Sequence, residues 1–317
     1  FYAAFLVASL GMSGASHGIS WAVAVTNWFR RLRGRALGLA MLGPVVGGPF
    51  VVTAALLEEA LGWRVAVLLC GIGLWVVGIP IAMVARSRPE PYGYLPDGDV
   101  REEADGSEAP VALKESRDGL TVGQAVHTRD FWVLMFLCGG QFLGVSGLMV
   151  HLIPLLQGME YSATGAATIL GMVFLLSGIG RIGAGALADL LDYRKVLLGL
   201  LLSQVLGLLL LTSLGPSQYW QIGVFALLFG VGFGGTIPMW PFLIMQRFGA
   251  RAMGAIQGLV QGGAIGAGMA GPVFYGWVFD VTESYDRAVF ASVAVILMAA
   301  PLVFLLASPQ RVARRSG

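Results

Sequence analysis

The 317-residue sequence has little charge and few reactive side chains: charged residues make up 12% of it, with two cysteines and three histidines. Cys70 and Cys138 stand alone within apolar segments, a spacing that fits neither a disulfide framework nor a zinc site. The net charge of +2, spread over short basic clusters, indicates no nucleic-acid surface. There is no HExxH motif, clustered acidic metal site, P-loop, or serine or cysteine beside a base in the apolar segments. We therefore expect no metal, no cofactor and no enzymatic activity.

Hydrophobic residues, in contrast, make up 56% of the sequence. They form runs that can each cross about 30 Å of hydrocarbon as a helix, which takes roughly 20 residues. These runs are too long and too continuously apolar for the strands of a membrane barrel. The sequence therefore predicts an all-α, multi-pass membrane protein. Its nine expected spans lie near 1–28, 36–57, 63–85, 131–156, 163–188, 196–214, 219–245, 252–279 and 287–307.

Lysine and arginine cluster in alternate connections between these spans, and positively charged loops stay in the cytoplasm. The basic connections include residues 30–35, the long loop 86–130 and the tail 309–317. This pattern places residue 1 outside the cell and residue 317 in the cytoplasm. We expect a bacterial-type inner membrane as the location.

An internal repeat divides the chain. "RLRGRALG" (31–38) recurs as "RFGARAMG" (247–254), so that Arg31 and Arg35 correspond to Arg247 and Arg251. Each copy precedes a glycine-rich span, a Gly-Trp pair and a last span. In the second half, three spans come before the helix that leads into the repeat. In the first half, no span comes before the corresponding helix. Symmetry therefore predicts three further helices before residue 1. The expected units are the rest of an N-terminal half (1–85), a central loop (86–130), a six-helix half (131–308) and a tail (309–317).

Two six-helix halves joined by a charged loop are the plan of the major facilitator transporters. "GALADLLDYRK" (185–195) resembles that superfamily's G-x-L-A-D loop signature. Five further motifs resemble the monocarboxylate-carrier and oxalate-formate-exchanger branches of that superfamily. They are "NWFRRLRGRALG", "GWRVAVLLCG", "RSRPEPYGYLPDG", "TVGQAVHTRDFW" and "HLIPLLQGMEYSATGAA". The resemblance covers the family's helices four to twelve. It implies a monomer in the lipid bilayer that carries a small organic anion, with a proton as a possible second partner.

The loop signature predicts a gate. Gly185 lets two helices approach closely, and Asp189 can pair with Arg33 or Arg35 and face the positive N-terminus of a helix that starts near Ala36. The alternative is a solvated helix end at Asp189. The residues predicted to form the gate and its loops are Gly185, Asp189, Arg194, Arg31, Arg35, Arg247 and Arg251.

Polar residues on four predicted helices reach similar depths, at about 1.5 Å per helical residue. Arg181 precedes Asp189 by about 12 Å, and Gln261 lies roughly 15 Å beyond Arg251, with Gln257 one turn shallower. Thr236 and His17 lie at roughly 16 and 20 Å. These groups are predicted to converge near the bilayer midplane, where such carriers bind their solute.

Arg181 is the centre of this predicted site, because no predicted span contains an acid that could pair with it. A substrate carboxylate could supply the counter-charge in bidentate geometry. In the branches named above, an arginine four residues before the loop-signature glycine helps to bind the carboxylate, and Arg181 stands there before Gly185. The alternatives are an acid on a preceding helix, or snorkelling of the side chain to the cytoplasm.

Two departures from the family pattern narrow the expected substrate. Animal monocarboxylate carriers have an aspartate where this chain has Ser177, and oxalate exchangers use a lysine in the region where this chain offers Gln261. A single cationic centre favours a monoanion over a dicarboxylate.

The histidines allow two interpretations each. His17, at midplane depth, could bind a proton or solute, or could be a buried histidine bonded to backbone. His151 lies near the outer end of its helix, at an outer gate or at the mouth of the site. The segment "GFGGTIPMWPF" (232–242), which contains Thr236, predicts a bend near the site.

The sequence thus favours a secondary carrier of a monocarboxylate, working by proton symport or exchange. A carrier of the same fold for a neutral or cationic solute is the main alternative. A membrane enzyme or a nontransporting sensor is less favoured.

Overall fold

The computed structural model describes residues 19–46, 53, 57–94, 96–98, 119–213, 215 and 219–306. Helices account for most of these residues, and within these ranges the only β pairing is an isolated bridge between Gly119 and Gly249. The predicted all-α fold is therefore confirmed for the part of the chain that the structure describes.

The described ranges give bounds for eleven α-helices, with short 3-10 turns at Glu90–Tyr92, Pro96–Gly98 and Ala300–Leu305. Their bounds are α1 Ile19–Trp28, α2 Arg33–Ala40, α3 Gly43–Val46, α4 Trp63–Val84, α5 Val122–Val126, α6 Arg129–Gly158, α7 Ala163–Leu190, α8 Tyr193–Thr212, α9 Tyr219–Phe248, α10 Met253–Thr282 and α11 Asp286–Ala299.

Within the described ranges, six helical segments are long and apolar enough to cross a membrane. They are Trp63–Val84, Arg129–Gly158, Thr164–Leu190, Tyr193–Thr212, Trp220–Phe248 and Asp286–Leu305. Helix α10, with 30 residues, has the length to cross as well, but its many glycines lower its hydropathy. These helices match seven of the nine predicted spans to within a few residues. Of the first predicted span, α1 covers the end, and residues 1–18 lie outside the described part.

The predicted span 36–57 contains a break near its start. Helix α2 ends at Ala40, and α3 begins at Gly43 after a turn at Met41 and Leu42. The cause is Pro44, which has no N–H to donate to the carbonyl of Ala40. The N–H of Val45 then bonds to Leu42 (2.8 Å), which leaves the Met41 carbonyl without its usual helical partner.

A close contact joins α7 to α9 through glycine. A methyl group at Gly180 would collide with the carbonyl oxygen of Val231, and one at Gly234 would collide with that of Ser177. The two backbones can touch only because these positions carry no side chain. Helices α6 and α10 form a second such pair, in which Ser146 donates a hydrogen bond (2.6 Å) to the carbonyl of Gly268. That carbonyl is free because Pro272, four residues later, has no N–H.

Candidate functional site

A cavity of about 510 Å³ lies between helices α1–α3 and the four helices α6, α7, α9 and α10. Its volume falls in the usual range for ligand sites, roughly 300–1,000 Å³. The lining residues are Ile19, Met41, Pro44, Gln141, Phe142, Val145, Phe174, Arg181, Phe233, Ile237, Trp240, Gly258, Gln261, Gly262 and Ile265. Aspartate and glutamate are absent from this lining, which is drawn from the described residues alone.

Arg181 supplies the cavity's positive charge and is only 2% exposed. One terminal nitrogen of its guanidinium donates to the Met41 carbonyl, the group that the break between α2 and α3 releases. Its Nε has no hydrogen-bond partner among the described residues. The break between α2 and α3 thus supplies one acceptor for a buried cation, whose Nε stays without a partner in the described part of the chain.

Gln141 is a cavity residue that the sequence analysis missed. It is 3% exposed, and its Nε2 donates to the hydroxyl oxygen of Thr236 (2.6 Å). Thr236 uses its single hydroxyl hydrogen on the carbonyl of Phe233 (2.8 Å), so it can only accept from Gln141. This fixes the orientation of the amide and leaves Oε1 of Gln141 without a partner in the described chain. The available signal was depth, because Gln141 follows Asp130 by eleven residues, or roughly 16 Å of helix.

The structure brings together only part of the predicted site. Arg181 and Gln261 line the cavity, and Thr236, fully buried, supports it from behind Gln141. Gln257 is also buried, at 1% exposed, but is not among the lining residues. His17 lies outside the described residues. Trp240 joins the lining from the predicted bend, and its indole nitrogen has no partner in the described part of the protein.

His151 lies away from the cavity lining, between α6, α10 and the start of α11. Its Nε2 is 3.0 Å from the carbonyl oxygen of Pro272 and its Nδ1 is 3.2 Å from the hydroxyl of Tyr285. Its ring stacks on Tyr275 with 6.0 Å between centroids. Tyr275 in turn bonds to Ser292 at 2.9 Å. The histidine thus ties three helices together.

At the opposite end of the bundle, Asp189 caps helix α2. Asp130 and Arg194 lie at this same end, the Asp189 end. The Asp189 carboxylate accepts hydrogen bonds from the backbone N–H groups of Gly34 (2.8 Å) and Arg35 (2.9 Å). Helix α2 starts at Arg33 rather than near Ala36, and the first-turn N–H groups take the place expected for the arginine side chains. This is a charge-assisted cap on a positive helix N-terminus.

Gly185 meets Gly34 directly beside this cap. A methyl group on either glycine would collide with the carbonyl oxygen of the other. The loop signature therefore joins α7 to α2 through backbone atoms and one carboxylate.

The other predicted gate arginines contact different partners at the same end. The guanidinium of Arg31 is 3.9 Å from Asp97, and Arg247 forms an ion pair with Asp130.

Arg194 pairs with Asp192 at 2.7 Å, and its side-chain hydrogen bond lowers the pKa of that carboxyl. It also reaches the carbonyl of Leu306 (3.5 Å) at the end of the last 3-10 turn. Arg251 is exposed. Arg194 and Arg247 thus link helices within the bundle, and Asp189 links α7 to α2.

Metal-binding groups give no alternative site in the described ranges, where no three histidine, cysteine, aspartate or glutamate side chains cluster.

Comparison with known proteins identifies a family and relatives that are similar to this sequence. Residues 1–272 match the Major Facilitator Superfamily. The chain is 29% identical over 241 residues to the MFS transporter asaE of Aspergillus flavus. This match covers 75% of this chain and 49% of asaE. It is 28% identical over 288 residues to YcxA of Bacillus subtilis, described as an uncharacterized MFS-type transporter. This match covers 84% of this chain and 64% of YcxA. The chain thus spans less than two thirds of the length of either relative.

Solved structures show the same fold. A crystal structure of the MFS transporter FucP in the outward conformation matches with a TM-score of 0.60 at 14% identity, covering 87% of this chain and 68% of that one. A variant of the E. coli fucose:proton symporter FucP gives 0.63 at 14% identity, with 90% and 72% covered. The family match spans most of the sequence and the helices share the fold, so the chain belongs to the Major Facilitator Superfamily, whose members are multi-pass membrane transporters and not enzymes.

Proposed function

We propose that this protein is a secondary active transporter of a small organic anion, a monocarboxylate, which works by alternating access with proton symport or anion exchange. The observation that carries the proposal is Arg181, a buried guanidinium on the wall of a cavity that has no carboxylate among its described lining residues. The sequence resemblance to the monocarboxylate and oxalate-formate branches supports the same substrate class.

The energetics favour an anionic ligand. A charge at the centre of a membrane helix costs at least about 2.5–3.5 kcal/mol unless a partner or water compensates it. The Met41 carbonyl is a neutral acceptor for one nitrogen, and Nε is left over. A carboxylate that accepts from Nε and the adjacent terminal nitrogen would supply both the opposite charge and the two parallel hydrogen bonds that arginine forms best.

The contacts at the Asp189 end support a gate in the proposed cycle. Helix α2 lies in the segment before the central loop and α7 in the segment after it, and the Asp189 cap and the Gly34–Gly185 contact join them. In alternating access, one bundle rocks against the other around a fixed site. Opening the Asp189 end would break this cap, and closing it would restore two charge-assisted hydrogen bonds. The positively charged loops indicate that this end faces the cytoplasm.

Uptake by proteoliposomes tests the proposal. We expect Arg181-dependent uptake of at least one labelled monocarboxylate among acetate, lactate and phenylacetate, and at least about tenfold less uptake of the matching neutral amide, since one charge-assisted bond is worth about 1.5–3 kcal/mol. Stimulation by an inward proton gradient would assign symport, and stimulation by the same anion trapped inside would assign exchange. Equal handling of the acids and their amides would refute an anion carrier and favour one for neutral solutes.

His151 gives a separate prediction, because the structure places it in a helix junction. His151→Phe keeps an aromatic ring on Tyr275 but removes the bonds to Pro272 and Tyr285. We expect the unfolding free energy in detergent to fall by about 0.6–1.7 kcal/mol for each bond, with less than a twofold change in carboxylate affinity. An affinity loss much larger than the stability loss would instead place His151 at the mouth of the binding site, one of the two positions expected from the sequence.

A further inference from the structure

The walls of the cavity are mostly aromatic and aliphatic. Phe142, Phe174 and Phe233 contribute from three different helices, and Ile237 and Ile265 add further apolar surface. Burial of apolar ligand surface is worth about 25 cal/mol per Å². The two or three carbons of acetate or lactate would cover little of this lining, whereas a ligand with an aromatic body would cover much of it.

Three residues of this mostly apolar lining each carry a buried polar atom that lacks a partner among the described residues. The atoms are Nε of Arg181, Nε1 of Trp240 and Oε1 of Gln141. All three side chains are at most 3% exposed, and the atoms themselves are shielded from solvent. An unpaired buried polar group costs about 1–3 kcal/mol, so a ligand that completes these bonds gains most of that cost back.

The three atoms differ in what they need. The nitrogens of Arg181 and Trp240 are donors, and each requires an acceptor. Oε1 of Gln141 is an acceptor, because the Thr236 contact fixes the amide with its nitrogen turned away. A plain carboxylate can satisfy the donors, whereas a ligand that contacts Gln141 directly must also carry an O–H or N–H group.

We infer that the transported anion is an aromatic monocarboxylate that carries a hydrogen-bond donor in addition to its carboxylate. This inference rests on the proposed function and names the substrate class for the same cavity. The carboxylate binds Arg181 and Trp240, the ring lies between the three phenylalanines, and the donor group meets Gln141.

Binding to the full chain in lipid nanodiscs, measured by isothermal titration calorimetry, tests this assignment. The probes are acetate, phenylacetate, its three ring-hydroxylated isomers and the neutral phenylacetamide. We expect phenylacetate to bind at least tenfold more tightly than acetate. We also expect at least one hydroxyphenylacetate isomer to bind about tenfold more tightly than phenylacetate. In an apolar cavity without a free acceptor, the added hydroxyl would weaken binding instead.

A pair of variants assigns the hydroxyl contact. Gln141→Met keeps an unbranched side chain of similar length but removes the acceptor, so the preference for the hydroxylated isomer should disappear. The matched control is Gln204→Met, the same change at a buried residue of α8 outside the cavity lining, which should keep the preference. Should the Gln141 variant fail to fold, the isomer series on the unaltered protein still decides.

The outcomes separate the two proposals. Acetate binding as tightly as phenylacetate, or all three isomers binding no better than phenylacetate, would overturn the substrate class while leaving an anion carrier. Phenylacetamide binding as tightly as phenylacetate would instead overturn the anion carrier itself.

Discussion

Arg181→Gln is expected to weaken binding of phenylacetate by about a hundredfold. The substitution removes the positive charge and the Nε donor, and hydrogen bonds to charged groups are worth about 1.5–3 kcal/mol each. The same change relieves the cost of a buried charge, so the thermal stability of the ligand-free protein should be retained or raised. Opposite effects on affinity and stability distinguish a binding group from a structural one. Calorimetric titration together with thermal unfolding in detergent measures both.

Arg287→Gln provides the matched control for this prediction. Arg287 is an exposed residue in the first turn of α11 and is not among the cavity-lining residues, so its removal should leave phenylacetate affinity within about twofold. If Arg181→Gln destabilises the fold and leaves affinity unchanged, the arginine serves only to hold Met41.

Gly34→Ala is expected to open the Asp189 end. The added methyl would meet the carbonyl oxygen of Gly185, and it would come within 2.8 Å of an oxygen of Asp189. Overpacking of this kind costs about 1–3 kcal/mol. Because only conformations with α2 against α7 bear that cost, the population should shift away from them by roughly tenfold. Substrate uptake should fall as the closed state becomes rare.

A cysteine in the cavity can report this shift. In a background without Cys70 and Cys138, Gln261→Cys should react about tenfold faster with a water-soluble thiol reagent when Gly34→Ala is present. Gly183→Ala is the control, because a methyl at Gly183 would meet no atom within 4 Å. Equal labelling in both alanine variants would show that the contact between α2 and α7 is not a gate.

The sequence predicted those features of the site that depend on one helix at a time. Spacing along one helix was enough to place Arg181 at the depth of a cavity, and Gln261 followed from the same counting. The partner of Arg181 could not be predicted, because Met41 belongs to a different helix and its carbonyl is free only where Pro44 breaks that helix. Gln141 was overlooked because a single neutral amide hardly lowers the hydropathy of a long apolar run.

Helix rotation explains the remaining differences. Depth alone cannot tell a residue that faces the cavity from one that faces a neighbouring helix, which is why Gln257 and Gln261, one turn apart, differ in their access to the cavity. Asp189 lies near the start of the helix after the first basic loop, but its partners are backbone N–H groups rather than the arginine side chains expected from the sequence. Their availability depends on where α2 begins, and cap positions are the least predictable part of a helix.

The glycine-mediated contact between α7 and α9 determines which parts of the cavity can move separately. Backbones that touch without intervening side chains have no rotamers to adjust, so sliding one helix along the other would force main-chain atoms into collision. Arg181 on α7 and Trp240 on α9 should therefore keep a constant separation throughout the transport cycle. Movement would be left to the opposite wall of the cavity, where Met41 and Pro44 lie. The anion would then move together with the rigid α7–α9 pair that binds it.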